Sequence, residues 1–179
     1  MAKRFAMTSL IGRWFVERGK SLRYPARMQP SLGQLWARYR AVNADAPMEA
    51  PAAFHFCDNA EDANLCLALV LAGVKRATAT SLAEVRLARA ALPQPGEFFL
   101  VTDWAGEARA VIRTISVEIR RFSEVDEEFA RLEGEGDGTL AWWREAHLAY
   151  YRRVLAGSGH VVDGDLEIAC ERFERVFPA

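Results

Sequence analysis

Nothing in the 179 residues supports a disulfide scaffold, a membrane span or a metal site of known pattern. Cysteine occurs only at Cys57, Cys66 and Cys170, an odd number with no CxxC pair and no secretory signal ahead of it. The expected setting is therefore a reducing cytoplasm, with each thiol a small buried hydrophobe. The longest charge-free apolar stretch, Ala63 to Val74, is closed off by Asp62 and Lys75 and is too short to cross a bilayer. His55, His147 and His160 are scattered, and neither HExxH, a Cys/His cluster nor GxSxG occurs, so no metal, no cofactor and no Ser/His hydrolase is expected. With 51% hydrophobic and 26% charged residues, the composition also excludes intrinsic disorder.

What is present is enough chain for one ordinary domain. A sequence of this length buries about 70% of its unfolded surface and needs no staple. Charge is spread unevenly along it. Lys3, Arg4, Arg13, Arg18, Lys20, Arg23 and Arg27 face the single acid Glu17 within residues 1–30, whereas the rest of the chain is acidic on balance. Such a body has no general cationic face for gripping a long duplex. In the arm, Met7, Leu10, Ile11 and Trp14 share a helical face, which fits a membrane-surface helix, a transit peptide or an RNA-contacting arm. A loosely ordered extension, or a start codon placed too early, fits equally. The expected organisation is thus a basic extension over 1–30 and one domain over 31–179.

Leu32, Leu35, Trp36 and Tyr39 mark a first helix with Ser31 as N-cap. Asn59 and Asp62, spaced like a capping box, open a second that ends at Gly73. Leu82 to Ala91 reads as a shorter helical segment. Phe98–Thr102 reads as a short apolar strand, Ala110–Ile119 as a longer strand with neither face purely apolar, and Ile168–Phe177 as a closing strand of alternating residues. Ser123 to Asp126 caps a brief helical turn, Glu133 to Gly138 reads as a glycine-rich loop, and Thr139 starts a long helix reaching Ala156. Helices interrupt the strands irregularly, which favours an α+β fold with a small, mostly antiparallel β-barrel and flanking helices.

Two segments carry chemical potential. In Gly73-Val74-Lys75-Arg76-Ala77-Thr78-Ala79-Thr80-Ser81, two cations leave a helix C-terminus and hydroxyls follow. Cations there also simply complement the helix dipole. If the chain is extended from Arg76, then Arg76, Thr78 and Thr80 form one polar row. A partly desolvated Lys75 would have a lowered pKa and act as a base or anion ligand, with Thr78 the nearest hydroxyl to activate. Residues three apart in a strand point to opposite faces, so the pair can cooperate only if the chain turns between them. In Leu132-Glu133-Gly134-Glu135-Gly136-Asp137-Gly138-Thr139, carboxylates alternate with glycines just before a helix. That segment is either a solvated turn capping the helix or a loop whose carboxylate meets a cation across a pocket; the order of a calcium loop is absent. The aromatics Trp143, His147, Tyr150 and Tyr151 share a face of the following helix, for core packing or for stacking on a base.

In this order, His55-Phe56-Cys57-Asp58-Asn59, Leu71-Ala72-Gly73-Val74-Lys75-Arg76-Ala77-Thr78, Leu92 to Glu97, Val111 to Thr114, Phe122 to Asp126, Glu133 to Asp137 with Trp143 to His147, and Cys170-Glu171-Arg172-Phe173 resemble the motifs of the ASCH domain family, in its bacterial stand-alone branch. The likeness runs from about Leu32 to Phe177 and rests above all on the Gly-x-Lys-x-x-Thr signature. Cys57 and Asn59 depart from the family's glycine and serine. The resemblance implies a PUA-like barrel with a cleft for RNA or a modified nucleoside, and an amidohydrolase acting on an N-acylated cytidine or, alternatively, a non-catalytic RNA-binding module. Carried over by position, it puts Lys75 and Thr78 in the catalytic pair and Glu135 as their acidic partner, with Glu133 the competing choice. Asp58, Arg76, Ser81 and Trp143 complete the expected substrate-binding set. Lys75 would take a proton from Thr78 or a water, which attacks the acyl carbonyl, and Glu135 would orient Lys75 or protonate the leaving amine.

The two classes separate on the basic arm. Deleting residues 1–27 is expected to weaken an RNA binder and flatten the salt dependence of its binding, whereas a nucleoside hydrolase keeps its turnover. Anisotropy titrations at low and high salt, run beside a hydrolysis assay, read both.

Overall fold

The structure, a computed structural model, describes residues 30–178, so the basic arm lies outside the described residues except for Pro30. Helix α1 (Pro30–Val42) begins one residue before the expected cap, with proline in the first helical position, where a missing N–H costs nothing. Ser31 is therefore not the cap; its hydroxyl accepts from the Ala108 N–H at 3.2 Å and ties the helix to the sheet. A short strand β1 (Ala53–Phe54) precedes α2 (Ala60–Leu71). Asn59 caps α2 by accepting from the Asp62 N–H at 3.0 Å. At the other end Gly73 takes φ +73°, Gly73 N–H donates to Val70 O, and Val74 N–H donates to Leu69 O. That paired closure reverses the chain and delivers Lys75 to the molecule's interior.

Strand β2 (Ala77–Ser81) follows, then α3 (Leu82–Leu87), β3 (Phe98–Thr102) and the long β4 (Ala108–Arg121). A 3₁₀ turn (Phe122–Glu124) leads to α4 (Glu127–Glu133), a helix that the sequence pattern does not announce, capped by Asp126. Thr139 caps α5 (Leu140–Val154), and β5 (Glu167–Phe177) closes the described chain. The sheet order is β1-β3-β4-β5-β2, antiparallel except for the parallel pairing of β1 with β3. The α+β class and the mostly antiparallel pairing hold. The sheet itself is open, with β1 and β2 as its two edges, so the ladder does not close into the expected barrel.

Helices cover both sides of this sheet, which explains the mixed faces of its strands. Leu35, Trp36 and Tyr39 of α1 pack with Leu100 and Val111, while Cys66, Leu67 and Val70 of α2 pack with Val101, Ala110, Ile112 and Phe173. A third cluster joins Phe129, Trp143, Tyr151 and Leu155 to Ala77, Ile168 and Cys170. Val111 and Ile112 are both buried because they point to opposite faces, Val111 under α1 and Ile112 under α2, and the pairing of β4 with β5 shifts register between Val111 and Ile112 and again between Thr114 and Ser116. Among the described residues no helix is long and apolar enough to cross a membrane.

The junction of β2 and α3 depends on one hydroxyl. Ser81 Oγ accepts from Glu84 N–H at 3.2 Å and donates to Glu84 Oε2 at 2.7 Å, and both residues are buried. Ser81→Ala is expected to cost about 1–2 kcal/mol in urea unfolding.

Candidate functional site: a buried lysine behind an acidic cavity

Glycine makes the site possible. Gly134, at φ +65°, ends α4, and a Cβ added to it would lie 2.5 Å from Val74 Cγ1 and 3.2 Å from Val74 O. Only a residue without a side chain lets the loop after α4 lie against the segment leaving α2. The Arg76 N–H donating to Leu132 O at 2.7 Å fastens the two. Glu133 and Glu135, on either side of that glycine, then both reach Lys75. Nζ donates to Glu133 Oε2 at 2.8 Å and to Glu135 Oε1 at 2.5 Å, and lies 5.2 Å from the centre of the Phe56 ring.

The two carboxylates are not equivalent. Glu133 is 1% exposed; its Oε1 accepts from the Trp143 indole N–H at 2.9 Å, and His147 Nε2 lies 3.5 Å away. Glu135 keeps 17% of its side chain accessible and also accepts from the Cys66 thiol at 3.3 Å. Glu133 is thus an internal anchor, and Glu135 is the carboxylate presented to solvent. Both of the acids weighed from the sequence meet the lysine, so the choice between them was not exclusive.

Electrostatics reverses the role expected of Lys75. Burial alone would lower its pKa, but the adjacent Glu133 and Glu135 carboxylates more than offset this and raise it well above the ordinary 10.5. Lys75 is therefore an ammonium at neutral pH, and the lowered pKa expected from desolvation alone does not result. Burial pushes the Glu135 carboxyl up, but Lys75 beside it brings the net shift below the ordinary 4.5, so Glu135 is ionised. The Cys66 thiol is pushed up by its contact with Cys57 and by burial, and keeps its proton.

These groups border a cavity of about 340 Å³, within the size range of small-ligand sites. Thr78, Ala79 and Thr80 of β2 form one wall, Trp142, Ala146, His147 and Tyr150 of α5 another, and Phe56 to Asp58 with Cys66 a third, with Glu133, Glu135 and Gly136 beneath. Gly136 has a definite reason to be glycine: a Cβ there would come within 2.1 Å of the Trp142 ring. Across the rim, Arg153 makes a two-pronged contact with Asp58, both bonds 2.8 Å, which holds the Asp58 carboxyl below its usual range.

Of the expected residues, Lys75, Thr78, Glu135 and Asp58 come together, with Lys75 behind the wall rather than in it. No described residue hydrogen-bonds to the Thr78 hydroxyl. Arg76 is exposed and does not border the cavity; its main chain joins Leu132 and Phe173 instead. Ser81 is consumed in the α3 capping box, and Trp143 is buried under Glu133. The accessible indole is that of its neighbour Trp142, a helical phase that a run of two tryptophans leaves ambiguous. Arg153, Cys66, His147 and Tyr150 were not in the expected set; Trp142 follows the glycine loop closely, but nothing local marks Arg153 as the partner of Asp58. No group of three or more His, Cys, Asp or Glu side chains among the described residues is placed to hold a metal ion.

Comparison with known proteins bears on the family and the fold. The model of the ASCH domain family matches residues 52–177. A crystal structure of an ASCH domain from Lactobacillus crispatus JV V101 superposes with a TM-score of 0.75 at 29% identity, covering 85% of this chain and 98% of the other. A protein from Enterococcus faecalis V583, assigned to the family DUF984, gives 0.73 at 28% identity, covering 82% and 88%. No curated protein matches the chain.

A further carboxyl adjoins the site. Glu171 of β5 lies opposite Thr78 in the ladder, accepts from the Thr114 hydroxyl at 2.5 Å, and leaves Oε2 buried without a partner among the described residues. Burial pushes it up from 4.5 to about 7. The folded protein therefore keeps Glu171 neutral over a range in which the unfolded chain ionises it. Its stability cost grows as pH rises from 4.5 towards about 7 and is constant above. Glu171→Gln escapes that cost. Relative to the parent, its stability is expected to rise across this window by about 3 kcal/mol in all, as read by denaturant titrations at several pH values.

Proposed function

The chain belongs to the ASCH domain family, and from that premise we propose that its cavity takes an uncharged, modified nucleoside and hydrolyses an exocyclic amide on it, as in an N-acylated cytidine. The observation that carries this reading is the pairing of an ionised, cavity-facing Glu135 with a permanently charged Lys75 directly behind it. The cavity's own charges favour a small neutral ligand over an RNA strand. Asp58, Asp62, Glu133 and Glu135 border it, and the one arginine among its walls, Arg153, is engaged by Asp58. A phosphodiester would meet repulsion there, and the body as a whole is acidic. Trp142 offers a ring for stacking on a base.

In this mechanism Glu135 serves as general base, taking a proton from Thr78 or from a water as either attacks the acyl carbon. Thr78 is suited to the part because its hydroxyl lines the same cavity and is not committed to a described neighbour. Lys75 acts as a positioning residue. Its charge keeps Glu135 ionised in a buried setting and stabilises the oxyanion through a low-dielectric wall. Glu135 then passes the proton to the departing amine; where Thr78 attacked, a water activated by Glu135 next cleaves the acyl-Thr78 ester, releasing the acid and restoring the hydroxyl. Glu133, tied to Trp143, keeps Lys75 in place.

The test is release of cytidine from N-acetylcytidine, followed by chromatography. Turnover is expected, falling at least about a hundredfold in Glu135→Gln and in Thr78→Val. Absence of turnover in folded protein, together with no thermal shift from acylated or free cytidine, would refute the reading. Binding without turnover would leave the non-catalytic RNA or nucleoside module in its place.

A further inference from the structure

Cys57 and Cys66 both border the cavity, both are free, and their sulfurs lie 3.6 Å apart. Cys57 occupies the bend before α2 at φ +58°, a left-handed conformation that residues with a Cβ rarely adopt. Cys66 is fixed within α2 and donates to Glu135 Oε1. Either thiol can donate the contact between the sulfurs. The third thiol, Cys170, is buried in the separate cluster under α5 and provides an internal reference.

We propose that Cys57 and Cys66 are a peroxide-oxidisable dithiol, and that its closure to a disulfide withdraws Cys66 from Glu135 and switches the cavity off. The regulatory half of this inference rests on the hydrolase reading above; the bond itself does not. Cys57, the half-buried member of the pair, reacts first. Its thiolate attacks one peroxide oxygen, the O–O bond breaks, and a sulfenic acid forms with release of water. The Cys66 sulfur then attacks the Cys57 sulfur. The Cys66 proton leaves through Glu135, to which it is already hydrogen-bonded, and the sulfenic hydroxyl departs as a second water. Overall, two thiols and one hydrogen peroxide give one disulfide and two waters, with the sulfurs oxidised and the peroxide reduced.

Closure requires the sulfurs to approach from 3.6 Å to about 2.05 Å. The bend at Cys57 supplies the movement, since Cys66 is held in the helix. Glu135 then keeps Lys75 but loses its donor on the α2 side, so the carboxylate is no longer fixed from both directions. Misplacement of a catalytic group on that scale is costly to rate.

The experiment treats the reduced full-length protein with hydrogen peroxide, alkylates it after unfolding, and maps the peptides by mass spectrometry. The expected product is a Cys57–Cys66 cross-linked peptide with Cys170 still alkylated, reversed by dithiothreitol. Turnover of N-acetylcytidine is expected to fall at least about tenfold on oxidation and to recover on reduction, while Cys57→Ser abolishes both the cross-link and the peroxide sensitivity. Alkylation of both cysteines after peroxide, or oxidation of Cys57 without a cross-link, would overturn the dithiol. A cross-link that leaves turnover unchanged would overturn the switch. If the reduced protein hydrolyses no acylated nucleoside, the functional reading fails on that result alone. The cross-link map still decides the bond, and cytidine binding, read by thermal shift, then decides the switch.

Discussion

One buried ammonium organises this molecule. Lys75 is almost wholly withdrawn from water, and an isolated charge so placed would be too expensive to keep. Two carboxylates, on either side of one glycine, make it tolerable, and their approach requires the α2 turn and the Gly134 contact to be built as they are. Removing one partner of such a group leaves a buried charge uncompensated, which is why the cluster constrains the fold as well as the site. Glu133 carries most of the structural share through Trp143, and Glu135 faces the cavity.

The asymmetry between those acids decides the chemistry. A lysine beside two carboxylates cannot act as a neutral base, so proton transfer moves to Glu135 and the lysine contributes its field. The cavity in front is bordered by more acid than base, and its rim arginine is already paired. The same carboxylate that would handle the substrate also accepts a thiol hydrogen bond, which couples sulfur chemistry to the site without a metal or cofactor being invoked.

Much of this was legible in the letters. Capping and termination fixed α2 and α5 almost to the residue, because Asn59, Gly73 and Thr139 act locally. The family resemblance carried by the Gly-x-Lys-x-x-Thr order and the acidic glycine loop pointed to Lys75, Thr78 and Glu135, which the structure brings together. What failed was non-local. The charge state of Lys75 depends on acids 58 and 60 residues away, which reverse the effect of burial alone. Ser81 was expected only as a ligand hydroxyl, and Glu84 three residues on claims it as a helix cap instead. Trp142 and Trp143 differ only in helical phase, and β4 hides its irregularities because a bulge changes which residues face inward without changing their types. Helix α4 was missed because seven residues carry too little periodicity to announce themselves.

The most direct measurement is the ionisation of Lys75 itself, followed by NMR of selectively labelled lysine side chains across a pH titration of the folded protein, with Lys75→Met identifying the resonance. The account predicts that Nζ stays protonated beyond the ordinary lysine value of 10.5. A titration midpoint near neutral pH would contradict it, restoring the lysine as the base and removing Glu135 from the centre of the chemistry.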